Sequence, residues 1–309
     1  MVKEFRYIFG PVPSRRLGIS LGISPIPKKT CNYSCIYCQL GRTDRMTNTR
    51  VSFFPPEEII RELEEYISSD RSFDAVTIVG EGEPTLCLDM GTLIKEIQRR
   101  TDAPVAVITN GALLYDEKLR KELCGADIVL PSLDAYDETS FRKINRPYGT
   151  IRFKNFYEGL KEFSKIYKGQ LWIEIMLMKG INDDDVSLSR YRSLLEGLIY
   201  SRLYINTPVR PPAEKGVFCV DEERMERASE ILHGISIEKL VSTGFKSEVK
   251  DDLQAVMSII RRHPMNRFEI LAFLDSRNNR SPEELIMSLE QDPFVESIEY
   301  KGIKTYRIR

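Results

Sequence analysis

Cys31-Asn32-Tyr33-Ser34-Cys35-Ile36-Tyr37-Cys38 puts three thiols in one short stretch, separated by three and then two residues. Packing does not explain such crowding, because a buried free cysteine acts as a small hydrophobe with no reason to cluster. A disulfide would join two thiols and strand the third. A structural zinc ion takes four protein ligands, and no fourth thiol or imidazole follows nearby. A cubane iron–sulfur cluster is held by cysteine thiolates, and three local ligands would leave one iron open for chemistry. Zinc or a plain electron-transfer centre is the blander alternative.

The remaining chain must position this stretch. Its 309 residues suffice for one large barrel with an appendage, or for two domains. Hydrophobic residues make up 42% and charged residues 29%, as in soluble globular proteins. Lys+Arg of 45 against Asp+Glu of 46 gives a net charge of -1, so the chain as a whole has no bias toward polyanions. No apolar run reaches the length of a membrane span, and residues 1–6 lack a signal-peptide hydrophobic region. Six cysteines, three of them clustered, are too few for a secreted disulfide scaffold. A reducing cytoplasm is the expected location.

Residues 9–18 carry Gly10, Pro11, Pro13 and Gly18 and read as an ordered loop. Strand patterns follow at residues 19–23, 75–79, 105–108, 128–130, 171–178 and 203–205. Between them lie helical stripes such as Ile59, Ile60, Leu63 and Ile67, or Phe153, Phe156, Leu160 and Phe163. Pro56, Glu57 and Glu58 suit the first turn of a helix, and Asp89 is placed to cap the next. Repeated strand–helix units with near-continuous apolar strands mean a parallel sheet covered by helices. On periodicity alone, a six-unit barrel and a doubly wound sheet fit equally. From about Ser247 the pattern changes to three helices and two terminal strands, 294–300 and 305–308, which resembles a winged helix. The expected division is 1–245 and 246–309.

Cys-x3-Cys-x2-Cys with Tyr37 before its last cysteine resembles the signature of the radical S-adenosylmethionine (SAM) superfamily. Residues 10–16 (Gly-Pro-Val-Pro-Ser-Arg-Arg), 82–86 (Gly-Glu-Pro-Thr-Leu), 132–135 (Ser-Leu-Asp-Ala) and 206–212 (Asn-Thr-Pro-Val-Arg-Pro-Pro) are similar to a branch distantly related to the wyosine-forming tRNA enzymes. The resemblance implies a partial (β/α)6 barrel whose open side admits a large substrate. It implies a [4Fe-4S] cluster on Cys31, Cys35 and Cys38, with SAM on the fourth iron. Reductive cleavage of SAM would give a 5′-deoxyadenosyl radical that abstracts hydrogen from RNA or a peptide. An electron donor such as ferredoxin or flavodoxin would be the partner. The wyosine-type enzymes carry a second cluster on nearby cysteines; Cys87, Cys124 and Cys219 are scattered and read as buried structural thiols, so that reaction does not transfer. His233 and His263 are too few and too late for a histidine-rich metal site. A glycyl-radical activase and a non-catalytic iron–sulfur carrier or sensor are the other readings.

Parallel barrels place chemistry at the carboxyl ends of their strands. The turn Glu81-Gly82-Glu83-Pro84 has Glu81 where the family more usually has glycine, and by resemblance it faces the SAM amino group. Asn110, Ser132 and Asp134 imply contacts to the methionine carboxylate and ribose. Met176 and Asn206 imply the adenine side. The plainer alternatives are helix capping for Ser132 or Asp134 and ordinary core for Met176. Arg15, Arg16, Arg146 and Arg210 lie in proline-bearing loops and, with Asn182, are expected at the substrate, since guanidinium forks suit carboxylate or phosphate. Surface ion pairing is the alternative for each. Glu283, Glu284 and Glu290 in the third tail helix argue against nucleic-acid reading there.

Overall fold

The computed structural model describes residues 5–68, 72–237, 244, 245, 247, 249–261, 263–300 and 302–308. The chain opens with a hairpin of β1 (Ile8–Ser14) and β2 (Gly18–Ile23), antiparallel with a register shift between Phe9 and Val12. The expected loop over 9–18 is therefore mostly strand. Pro11 and Pro13 are tolerated because β1 is an edge strand, whose missing donors break no inner ladder. The cysteine stretch follows, pinned by a two-residue parallel bridge between β3 (Thr30–Cys31) and β4 (Arg45–Met46).

Strand and helix then alternate. They are α1 (Pro56–Ile67), β5 (Ala75–Ile78), α2 (Met90–Gln98), β6 (Val105–Thr109), α3 (Glu117–Leu123), β7 (Ile128–Pro131), α4 (Glu138–Ile144), α5 (Phe153–Ile166), β8 (Gln170–Met176), α6 (Asp185–Leu195), β9 (Arg202–Asn206), α7 (Glu222–Leu232) and β10 (Ile235–Ser236). The six expected strands are all present, as β2 and β5 to β9. The helix α4 was not foreseen; Asp137 and Ser140 form a reciprocal capping box at its start. Asp89 occupies the cap position of α2 but makes no side-chain cap bond. The sheet runs β1-β2-β5-β6-β7-β8-β9-β10, parallel from β2 onward, with β1 and β10 as unjoined edges.

Side chains alternate between the two faces of each strand. Val76, Val107, Val129, Ile173 and Ile205 join the large core beneath the helices. Ala75, Ala106, Leu130, Trp172 and Tyr204 form a separate inner cluster. One step further along the strands the inner face turns polar: Thr77, Glu174 and Asn206 follow Ala75, Trp172 and Tyr204 at period two. Ser20 and Thr77 share a buried hydrogen bond there.

Residues from Phe245 onward build a second core, with Phe245, Val256, Ile260, Ile270, Phe273, Leu289 and Tyr306 among its members. Its elements are α8 (Asp252–Ile260), β11 (Met265–Asn266), α9 (Arg267–Ser276), α10 (Pro282–Gln291), β12 (Val295–Tyr300) and β13 (Ile303–Ile308). The three expected helices and the hairpin are joined by the short β11, giving an antiparallel sheet ordered β11-β13-β12.

This C-terminal module packs across the open side of the barrel. On one edge α8 packs against β1. Beyond β9, Arg210 is half-buried, pairs with Glu269 at 3.1 Å and donates to the Pro264 carbonyl. Tyr300 donates to the Pro208 carbonyl at 2.8 Å. Arg307 donates to the Gln39 carbonyl at 3.2 Å, immediately after the last clustered cysteine. Among the described residues no helix is long and apolar enough to cross a membrane.

Replacing Arg210 by alanine leaves Glu269 and the Pro264 carbonyl without their charged donor. The expected loss is about 1–3 kcal/mol, read as a lower urea midpoint and faster proteolytic release of the C-terminal module.

Candidate functional site

The cysteine stretch has almost no regular structure of its own, so its backbone groups are satisfied by neighbours. The turn after β5 supplies one side: Lys29 N–H donates to the Glu81 carbonyl, and Glu83 N–H donates to the Thr30 carbonyl at 3.0 Å. Gly82 lies so close that a Cβ there would sit 1.9 Å from the Thr30 oxygen. The close approach that demands glycine is to the cysteine loop itself. The turn after α4 supplies the other side: Ser34 and Ile36 N–H groups donate to the Asn145 and Ile144 carbonyls, each at 3.0 Å, and Tyr148 N–H donates to the Asn32 carbonyl at 2.7 Å.

Two buried carboxylates tie the strand ends around this loop. Glu83 accepts from the Thr85 N–H at 3.0 Å, the Thr109 hydroxyl at 2.6 Å, the Asn110 N–H at 2.7 Å and the Thr85 hydroxyl. Burial raises its carboxyl and these donors oppose the rise. Asp134 accepts from the Tyr37 hydroxyl, from Asn145 Nδ2 at 3.2 Å and from the Met176 N–H at 3.0 Å. Burial pushes its carboxyl up to about 6 against those same donors. Neither Ser132 nor Asp134 caps a helix; Asp137 caps α4.

The thiols lie within this frame. Cys31 Sγ receives the Tyr33 N–H at 3.3 Å and faces Asn110 Nδ2 at 3.7 Å. Cys35 Sγ receives Asn145 Nδ2 at 3.5 Å. Burial raises all three thiols, and the negative groups near Cys31 and Cys35 add to it; the cations of Arg307 and Lys29 oppose it at Cys38. Ligation to a cationic metal centre is what makes such buried thiols thiolates. Among the described residues no three His, Cys, Asp or Glu side chains converge on a single ion. A cubane is held by thiolates on separate irons, and the donor set fits one with its fourth iron open: three partly buried sulfurs on one loop, with N–H donors that stabilise thiolate charge.

Several expected site residues take other positions. Asn182 is fully buried and bonds the Met178 N–H, the Met176 carbonyl and the Tyr191 hydroxyl, so it braces the framework instead of facing a substrate. Arg146 pairs with Glu214 at 2.6 Å, which Arg42 also engages; together they hold that carboxyl down at about 2. Glu214 N–H donates to the Ile36 carbonyl, so the pair closes over the cysteine loop. Arg16 pairs with Glu174 inside the barrel, and burial lowers its guanidinium to about 10. Arg210 lines the cavity described below while tying the C-terminal module to the barrel. Of the scattered cysteines, Cys87 is buried but Cys124 is exposed and Cys219 half-buried, correcting the expectation that all three are core. Met176 packs with Tyr37 against Ile36, Ile144, Met178 and Val217. Pro84 opens a single 3-10 turn, and the Ser132 N–H donates to the Thr109 carbonyl.

A cavity of about 520 Å³ lies between the barrel mouth and the C-terminal module. Arg15, Arg16, Glu81 and Asn206 line it from the barrel, and Phe245, His263, Glu269 and Phe273 from the module. Asn145, Arg307 and His263 were missed from sequence. Asn145 directly precedes Arg146 and Pro147 in the proline-bearing loop already singled out, whereas no local signal marks the other two.

A profile described as the radical SAM superfamily matches residues 26–189. The protein named GTPase Obg of Brachyspira hyodysenteriae is 35% identical over 306 residues, 97% of this chain but 45% of its own length, so the chain spans less than half of that relative. UPF0026 protein MJ1312 of Methanocaldococcus jannaschii is 35% identical over 305 residues, 95% of this chain and 93% of its own. The solved structure of TYW1 with a lysine-pyruvate adduct bound superposes with a TM-score of 0.51 at 20% identity, covering 72% of this chain and 75% of that one. At that identity the likeness is one of fold, a parallel-rich α/β partial barrel.

Replacing Gly82 by alanine forces its turn off the cysteine loop. Bound iron after anaerobic reconstitution is expected to fall to a small fraction of the wild-type content, measured by iron and sulfide analysis. Replacing Asp134 by asparagine sets an amide where two donors converge; a loss of about 1–3 kcal/mol is expected in urea unfolding.

Proposed function

The chain belongs to the radical SAM superfamily, whose members use a [4Fe-4S] cluster and SAM, and on that premise we propose that it removes a hydrogen atom from a substrate held in the cavity beneath its C-terminal module. Cys31, Cys35 and Cys38 would hold the cluster. When bound, the cluster and SAM supply one-electron cleavage to methionine and a 5′-deoxyadenosyl radical. The observation that carries the reading is that the one loop bearing all three thiols is held at the carboxyl ends of a parallel sheet by two buried carboxylate networks and the turn at 80–85. Glu83 and Asp134 act by fixing strand ends, since their oxygens are occupied within the chain. The backbone of the turn at 81–84, with Asn110, Ser132, Met176 and Asn206, would meet SAM. Tyr37, held by Asp134, would orient the last cysteine.

The chain divides at 245/246 into the barrel and a small domain. The helix and strand order of the latter, with its sheet ordered β11-β13-β12, supports a winged helix. Its third helix does not favour nucleic acid: Glu283 pairs with Arg267, and Glu290 with Lys304. The open side assigned from sequence to RNA or a peptide is covered by this domain. We therefore read the substrate as a small molecule, or one group of a larger one that reaches the cavity. A reduced ferredoxin or flavodoxin would supply the electron.

Anaerobic protein given dithionite and SAM is expected to release 5′-deoxyadenosine, and Cys35→Ala to release none above background. Release from that variant at the wild-type rate would refute the ligand assignment.

A further inference from the structure

The cavity carries a charge pattern of its own. Arg16 is matched by Glu174 and Arg210 by Glu269. Glu81 lies beside Lys28, whose ammonium it helps to hold charged. Arg15 is exposed at the cavity rim, has no carboxylate partner among the described residues, and presses on Arg16, Arg210 and His263 with its positive charge. Among the described residues one cation is thus left over at the rim of the pocket.

His263 supplies the second feature. It stands just after α8, its N–H donates to the Ile259 carbonyl at 2.8 Å, and its ring meets Phe245 edge-on at 5.2 Å. Burial and the cations of Arg210 and Arg15 push the imidazole well below its usual range. Its Nδ1 is buried with no partner among the described residues. His263 also lines the cavity and is only half-buried, so part of its ring faces a molecule bound there.

We propose that the cavity binds a small organic anion, its carboxylate or phosphate taken by Arg15 and one of its O–H or N–H groups hydrogen-bonded to His263. This deepens the proposed function, and rests on it for calling the anion a substrate. The cavity size falls in the range of small-molecule sites. A guanidinium fork accepts either anion in bidentate fashion, and the C-terminal module becomes part of the recognition surface.

The test is calorimetric titration of the anaerobically reconstituted protein, in chloride-matched buffer, with two probes that each carry a hydroxyl. L-malate presents carboxylates and glycerol 3-phosphate a phosphate. Saturable binding of either is expected, and the probe that binds identifies the anion. Arg15→Ala should weaken it by about tenfold to a hundredfold, Arg15→Lys should restore part of that loss, and His263→Phe, which keeps the ring contact with Phe245, should weaken it by about tenfold. Arg99→Ala, on an exposed helix pair, should bind as wild type. Binding of neither probe, or equal binding by wild type and Arg15→Ala, overturns the proposal. SAM cleavage is measured separately: protein that releases 5′-deoxyadenosine yet binds neither probe defeats this inference alone, and protein that binds but never cleaves SAM defeats the reading of function.

Discussion

The contact of Gly82 with the Thr30 carbonyl sets the geometry of the whole site. A loop that presents three thiols on one side cannot also form a ladder with itself, so its amides and carbonyls must be satisfied by turns from elsewhere in the chain. Glycine lets the turn after β5 come within reach, and the turn after α4 closes from the opposite side. The loop is held as an inserted strand would be, without a strand's constraint on where its side chains point.

Glu83 and Asp134 extend this support. Each is a carboxylate taken out of water, a cost that only several good donors can offset. The donors come from different strands and turns, so each carboxylate fixes the relative placement of elements far apart in sequence: β6 with the β5 turn for Glu83, and Tyr37, Asn145 and β8 for Asp134. Through Asn110 and Asn145 the same networks reach Cys31 and Cys35. Residues that resemble cofactor contacts thus act first on the frame that would hold the cofactors.

The strand–helix alternation was legible because inner strands buried on both faces read as apolar runs, and all six were found. The β1 strand was not, since its glycines and prolines signal loop wherever an edge position does not excuse them. The cysteine trio was legible from local spacing alone. The arginines were not: Arg16, Arg146 and Arg210 looked alike in sequence, and only tertiary placement shows each opposite a carboxylate, leaving Arg15 without one among the described residues. His263 lies more than two hundred residues from the cysteines and enters the cavity only because the C-terminal module folds back across the barrel.

The central claim is that the three thiols of one loop hold a cubane with an open iron at the carboxyl ends of the sheet. Electron paramagnetic resonance of the reduced, anaerobically reconstituted protein, recorded with and without SAM, addresses it most directly. The account predicts a [4Fe-4S] signal whose line shape changes when SAM is added. A protein that shows no cubane signal, or one whose signal is indifferent to SAM, would contradict it.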